Sequence, residues 1–271
     1  MTCITGVEQY ITLTTNSDRQ DRRKNINCYL MAEELERIIS EGRLFYRKNT
    51  AGYVFFVDKG HYYQMSLYID PAISFFVDKK DKPIISEFLG NSAMPEKSRA
   101  AADILLNNGF SHSVTTSRMV LTIDESPESH AEETEYRAAY ASVRNAEEIM
   151  AVWQTAFDPV VNLLPSREEL DVLIQNRNII CAADNRGTIV AALQINYKKS
   201  GAWSWHVAVH PEYRGKGIGN ILSRMYLSGG IESGINKYFL WVDQQNLSAI
   251  NFHSKFGYKL ENRFCEQYIQ R

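Results

Sequence analysis

The apolar run AWSWHVAV at 202–209 passes straight into HPEYRGKGIGN at 210–220, from whose end Ile218, Ile221, Leu222 and Met225 recur at i, i+3, i+4 and i+7. A strand must therefore turn through a glycine-rich corner into an amphipathic helix, and no other feature constrains the fold as tightly. The glycines alone say little, because a bare G-x-G recurs by chance roughly once in 200 positions. The context says more. A helix N-terminus leaves four backbone N–H groups without intrahelical partners and carries about half a positive charge, so it receives anions readily. Gly215, Gly217 and Gly219 let main-chain amides approach a phosphate, and Arg214 and Lys216 add charge at the rim. A diphosphate fits such a corner; from the turn alone, a flexible surface loop with solvated charges fits as well. The spacing is not that of a P-loop, since Lys216 is not followed by Ser or Thr in a G-x-x-x-x-G-K frame. Nor is it the G-x-G-x-x-G of a dinucleotide fold.

The rest of the chain places this corner. Twelve residues at 124–135, DESPESHAEETE, hold six acidic and no basic residue and read as a linker between two domains, 1–123 and 136–271. In the first, YLMAEELERIISEG has helical spacing, and LFYRKNTAGYVFFVDKGHYYQMSLYI reads as consecutive strands. PIISEFLG is a further strand, PEKSRAAADILLNNGF a helix ending near Gly109, and SRMVLTI a closing strand. In the second, AYASVR is a strand, AEEIMAVWQTAF a helix, and SREELDVLIQN a helix capped by Ser166 with Glu169 at the capping-box position. IICAAD and TIVAALQINY flank a hairpin turn at 185–187. AWSWHVAV then alternates Trp203, Trp205, Val207 and Val209 against Ala202, Ser204, His206 and Ala208. After the glycine corner come the strand KYFLWVD, the helix NLSAINFHSKFG and the strand RFCEQYI. The pattern is α+β in both halves.

With 44% apolar residues and a net charge of -2, the chain has ample material for two cores and no broad electrostatic footprint for nucleic acid or anionic membrane. Cys3, Cys28, Cys181 and Cys265 are far apart, which suggests neither a disulfide framework nor a metal site and suits a reducing cytoplasm. No signal peptide and no apolar stretch of spanning length is evident.

Taken residue by residue, the corner resembles the signature of the GNAT superfamily of acyl-CoA-dependent N-acyltransferases, Q/R-x-x-G-x-G/A, through Arg214, Gly217 and Gly219. Val207-Ala208-Val209-His210-Pro211 is similar to the strand end that precedes it. NLSAINFHSKFGY resembles the family's later helix through Asn246, Ala249, Lys255, Gly257 and Tyr258. The likeness covers roughly 136–271. It implies a sheet splayed between AWSWHVAV and KYFLWVD, with acetyl-CoA as co-substrate wedged in the V. Pantetheine would pair with main chain near Val207 and Val209, and the pyrophosphate would rest on Arg214, Gly215, Lys216, Gly217, Ile218 and Gly219. A bulge amide near Val207 or Ala208 would polarise the thioester carbonyl, and Asn246 would touch the cofactor or cap its helix.

Direct attack of a primary amine requires the amine neutral and a proton for the leaving thiolate. His253 stands where many members of the superfamily carry a tyrosine acid, and its imidazolium could protonate the thiolate; a satisfied core histidine explains it equally. His206, beside the implied bulge, could take the amine proton, or could be an ordinary polar residue on a strand face. Asp243 could orient an acceptor or cap a strand; Glu212 and Lys255 read as surface charges; packing explains Trp203 and Trp205 before acceptor stacking does.

SRAAADILLNNGFSHSVTTSRMVL resembles the end of another GNAT unit, but the first half offers no R-x-x-G-x-G. The expectation is tandem GNAT-like domains, the first degenerate and without CoA. The acceptor would be a small-molecule or peptide amine, and a homodimer is compatible with the resemblance. A non-catalytic CoA-binding sensor or scaffold is the rival reading.

Overall fold

The computed structural model describes residues 1–15, 21–27, 30, 32–123 and 135–271, so the acidic segment lies outside the described residues apart from Glu135. The fold is α+β, as the pattern implies. Two compact units divide the chain: Met1–Thr116 with Asn262–Arg271, and Ser117–Glu261. This differs from the 1–123 and 136–271 reading at both ends, and the reason is strand pairing. Residues 263–270, read as the last strand of the second domain, pair antiparallel with 84–91 in the first unit.

In the first unit the elements are β1 (Thr2–Cys3), α1 (Val7–Thr14), β2 (Lys24–Asn25), α2 (Ala32–Ser40), β3 (Leu44–Lys48), β4 (Gly52–Asp58), β5 (Tyr63–Ile69), β6 (Ile84–Asn91) and α3 (Pro95–Asn107), with the start of β7 (Ser111–Thr122). The strands run β1-β3-β4-β5-β6, with β2 on β5. In β4, GYVFFVD, successive phenylalanines go to opposite faces: Phe55 packs with Ile38 and Leu44, and Phe56 with Met65, Ile84 and Leu105. Helix α1 was not legible in the sequence: no side chain caps it at Gly6 and none of its residues is buried.

β5 and β6 are parallel, and their register runs through only Tyr63–Ile84, Gln64–Ile85 and Met65–Ser86. Beyond it the Asn27 side chain bridges both strands. Its Oδ1 accepts from Leu67 N at 2.8 Å, and its Nδ2 donates to Ser86 Oγ and to Glu87 O, each at 2.8 Å. Lys24 and Asn25 pair with Ile69 and Tyr68 along the same edge of β5, and Ile26 N donates to Leu67 O.

The second unit continues with β8 (Arg137–Tyr140), α4 (Ala146–Gln154), α5 (Arg167–Gln175), β9 (Ile179–Ala183), β10 (Ile189–Lys198), β11 (Gly201–Val209), α6 (Ile218–Glu232), β12 (Lys237–Asp243), α7 (Leu247–Lys255) and β13 (Lys259–Gln270), the last passing into the first unit. Strand order is β7-β12-β11-β10-β9-β8. One face packs on α6 through Leu222, Tyr226, Tyr238 and Leu240; the other packs on α4 and α5 through Ile149, Trp153, Leu170 and Ile179. The expected capping box is present at α5, where Ser166 Oγ accepts from Glu169 N and Glu169 Oε2 from Ser166 N.

Close packing of α6 on β12 depends on Gly230, where a Cβ would stand 2.5 Å from the Tyr238 hydroxyl and 2.6 Å from its ring. That hydroxyl donates to Leu227 O at 2.9 Å and cannot swing away freely. For Gly230→Ala, overpacking of about 1–3 kcal/mol should outweigh the roughly 1 kcal/mol gain in helix propensity. A lower urea midpoint is the expected result, and an unchanged or higher one would contradict this packing.

Candidate active site

The candidate site is built where β11 and β12 part. They are parallel, with register only at Ala202–Tyr238, Trp203–Phe239 and Ser204–Leu240. Gly201 brings them together at the start: its φ of +136° is one that L side chains rarely adopt, and a Cβ there would lie 2.6 Å from the Phe239 ring. On the other side of β11, register with β10 jumps from Ala192–Ala208 to Gln194–Trp205, so His206 and Val207 together oppose Leu193. This is a β-bulge, and His206 sits in it with φ of +46°. A left-handed backbone at a non-glycine residue costs roughly 1–2 kcal/mol, which the surroundings must offset.

They do so through the imidazole. Nε2–H donates to the Asn162 carbonyl at 2.8 Å, and Nδ1 lies 2.8 Å from the Gln194 side-chain amide. The Trp153 and Phe157 rings flank it at 5.5 and 5.7 Å between centroids. Burial pushes the His206 pKa down, and the ring is held at both nitrogens, Nε2 against the Asn162 carbonyl and Nδ1 against Gln194 Oε1. Both nitrogens are thus engaged in holding the bulge. A free proton acceptor, as the sequence suggested, would need one of them open. The partners of His206 were not identified from sequence, although Gln194 is a lone polar residue in the apolar run IVAALQI.

The bulge also overturns the simple alternation expected for β11. Val207 and Val209 pack with the α6-face core that contains Ala202, whereas Trp203 and Trp205 lie on the opposite face. Ala208 joins the α4 core.

At the end of β11 the chain makes a short 3-10 turn, Pro211–Tyr213, and then the glycine corner. Gly215 and Gly217 both have φ of +77°, and Gly217 is the left-handed N-cap of α6. No side chain caps this helix, and the first amides it employs are those of Asn220 and Ile221, both onto Gly217 O. The amides of Gly217, Ile218 and Gly219 therefore face outward without a backbone partner among the described residues. Arg214 and Lys216 are exposed; Arg214 Nε reaches back to Val209 O at 3.1 Å, and Lys216 Nζ lies 5.0 Å over the Tyr213 ring. Ile218 is buried and anchors the helix start. Gly219 departs from expectation: a Cβ there would come within 3.2 Å of the Phe252 ring, so its smallness serves the packing of α6 on α7.

On α7, the Asn246 side chain accepts from Ala249 N at 3.0 Å and is the helix cap. His253 is 9% exposed, flanked by Phe252 and Tyr258 at 5.1 and 5.7 Å, with no polar partner among the described residues. Burial pushes its pKa down to about 4, so it is neutral at pH 7. The imidazolium acid considered from sequence is not the resident form. Asp243 is half-buried at the end of β12 and accepts from Gln245 N at 2.9 Å. Among the described residues no cluster of His, Cys, Asp and Glu could hold a metal ion, and no helix is long and apolar enough to cross a membrane.

A parted parallel strand pair, a bulge beside it and an uncapped helix N-terminus lie together at the end of β11. A model of the acetyltransferase (GNAT) family matches residues 144–258. An acetyltransferase of Yersinia pestis is 27% identical over 97 residues, 35% of this chain and 69% of its own length. A GCN5-related N-acetyltransferase structure from Sphaerobacter thermophilus is similar with a TM-score of 0.58 at 14% identity, over 80% of this chain and 76% of that one. A tandem GNAT protein from the clavulanic acid biosynthesis pathway is similar with a TM-score of 0.56 at 13% identity, over 81% and 78%. The chain thus carries a GNAT N-acetyltransferase domain at residues 144–258, and its fold is similar to that of a tandem GNAT protein.

Burial of His253 has a consequence for stability. Folding favours the neutral ring, so the folded pKa of about 4 lies below the ordinary 6.5. Between those values the unfolded chain binds more protons, so the contribution is complete above pH 6.5 and is lost as pH falls toward 4. At about 1.4 kcal/mol per unit it amounts to roughly 3 kcal/mol. Urea midpoints at pH 7.5 and 4.5 should therefore converge more closely in His253→Phe than in the parent chain. A His253 resonance titrating near 6.5 in the folded protein would contradict the assignment.

Proposed function

We propose that the second unit, with its site between β11 and α7, transfers an acetyl group from acetyl-CoA to a primary amine by direct attack on the thioester. The observation that carries this is the set of outward amides at Gly217, Ile218 and Gly219 beside exposed Arg214 and Lys216, at the open end of a parted strand pair. In this reading the diphosphate rests on residues 214–219, and the pantetheine arm adds to the free edge of β11 along Val207 and Val209. The bulge directs the amide of Val207 or Ala208 at the thioester oxygen, where it stabilises charge that grows in the transition state. His206 is then a positioning residue: it fixes the bulge and, through it, the oxyanion donor. His253, neutral and enclosed, acts at most as a hydrogen-bond donor to the departing sulfur, and Asn246 acts as a cap.

The first unit is read as a GNAT-like domain that does not bind CoA. It has the same parting of a parallel pair, but there Asn27 and its neighbours hydrogen-bond to the strands that a pantetheine arm would need, and no glycine corner follows β5. A second reading, a CoA-binding sensor without turnover, is favoured by one observation: the resident form of His253 cannot act as an acid at neutral pH.

Calorimetric titration with acetyl-CoA tests the binding assignment. One equivalent per chain is expected; Gly217→Glu, which sets a carboxylate on the anion seat and strains a left-handed backbone, should abolish binding, and Arg214→Ala should weaken it about tenfold. Two equivalents would overturn the reading of the first unit, and no binding would overturn that of the second. Thiol release with a panel of amines then separates transferase from sensor.

A further inference from the structure

The face of the second unit opposite α6 carries an aromatic surface that none of its cores uses. Trp203 stacks on Phe239 at 4.9 Å, on Trp205 at 5.9 Å and on Trp241 at 6.5 Å between ring centroids, with interplanar angles of 27°, 15° and 28°. All four rings are half-buried, and none belongs to any of the chain's hydrophobic clusters. The indole N–H groups of Trp203, Trp205 and Trp241 make no hydrogen bond to the described residues. A strand face that only had to shed water would not gather three tryptophans and leave them half in solvent.

The position of the stack gives it a use, on the reading of the site as an acyl-CoA cleft. The α6 side of the parted strands is filled by core and by the anion seat, so an acceptor must reach the thioester from the tryptophan side. Trp205 immediately precedes the bulge residue His206, and so flanks the transfer point. Asp243 follows Trp241 on the same face of β12, two residues on, or roughly 7 Å along the strand. One carboxylate oxygen of Asp243 accepts from Gln245 N; the other has no hydrogen bond among the described residues. At the far end Arg118 lies 5.2 Å over the Phe239 ring and is paired with Glu261, which balances its charge.

We propose that the acceptor is a primary amine on an aromatic body, an arylalkylamine, whose ring lies on the Trp203, Trp205 and Trp241 surface and whose ammonium is drawn toward Asp243. A row of stacked rings is extended by one more aromatic ring on an end face or against its edges, and the single carboxylate beyond Trp241 matches a single cation about one short alkyl chain away. A polyamine would need several carboxylates, and a peptide would need backbone partners. In the transfer step the ammonium first loses a proton to solvent. The neutral nitrogen then forms the N–C bond, the C–S bond breaks, and one N–H proton ends on the CoA sulfur.

The test pairs rate with binding, using 2-phenylethylamine, its saturated analogue 2-cyclohexylethylamine, and spermidine. Thiol release should show kcat/KM at least tenfold higher for the aromatic amine than for either comparison amine. Trp205→Ala and Asp243→Asn should raise its KM about tenfold with kcat within threefold, and Trp205→Phe should restore most of the loss. Independently of turnover, 2-phenylethylamine should perturb the tryptophan fluorescence of the parent chain saturably, and that of Trp205→Ala much less. Equal rates for the cyclohexyl analogue, or a preference for spermidine, would overturn the proposal. So would acetyl-CoA binding normally while the aromatic amine gives neither fluorescence change nor turnover, with the acyl-CoA reading left intact. Failure of acetyl-CoA itself to bind would instead remove that reading, and the fluorescence titration would still decide whether the aromatic surface takes the amine.

Discussion

Everything at the candidate site depends on β11 and β12 being held together for three residue pairs and then released. Two devices, one at each end, produce this. At the start, Gly201 has no Cβ to collide with Phe239, so the strands meet closely enough to pair. At the end, the bulge adds a residue to β11 and increases its local twist, so the strand bends off its register with β12. The bulge is unfavourable in itself, because His206 carries a left-handed backbone. It persists because the imidazole exchanges water for two hydrogen bonds and two aromatic neighbours, with Gln194, Asn162, Trp153 and Phe157 all drawn from the β10 and α4 side. The α4 core and the stretch that follows it are thus part of the site without touching the gap between the strands.

The same bend sorts side chains by task. Before it, odd positions of β11 and β12 share one face and collect the tryptophans; after it, Val207 and Val209 turn to the α6 core and close the floor beneath the gap. A strand of unbroken alternation would have put Trp203, Trp205, Val207 and Val209 on one face, with either the tryptophans buried or the valines exposed. One extra residue therefore gives the cleft a packed side and an aromatic side.

This accounts for what could be read from the sequence. The glycine corner, the helix behind it, the capping box at Ser166 and the order of strands were legible because each rests on local rules: φ above zero, hydrophobic period, side-chain capping. The packing of Gly219 and the partners of His206 were not, because each is set by residues distant in sequence; for Asn246 the sequence offered the cap as one of two readings. The lack of a side chain at Gly219 is accounted for by Phe252 packed against it, and the Asn246 side chain caps α7 through Ala249 N. The same holds for the last strand: nothing local in RFCEQYI says that it pairs with a strand about 180 residues earlier, as Gln267 and Glu87 do.

The first unit shows what becomes of a parted strand pair when its gap is occupied from within. Leu67 N, a donor on β5 that the parting would leave without a ladder partner, is satisfied by Asn27 Oδ1, while the Asn27 amide group spans to Ser86 and Glu87 on β6. Such a donor, buried without a bond, would cost about 1–3 kcal/mol. A fold that separates two strands must therefore either keep a ligand at hand, leave the edge wet, or supply a side chain of its own. The second unit has exposed Arg214 and Lys216, and amides without a backbone partner among the described residues, just beyond the end of β11. In the first, one asparagine side chain takes up main-chain groups of both strands. Two units of one strand order thus differ in which groups complete a single pair of strands.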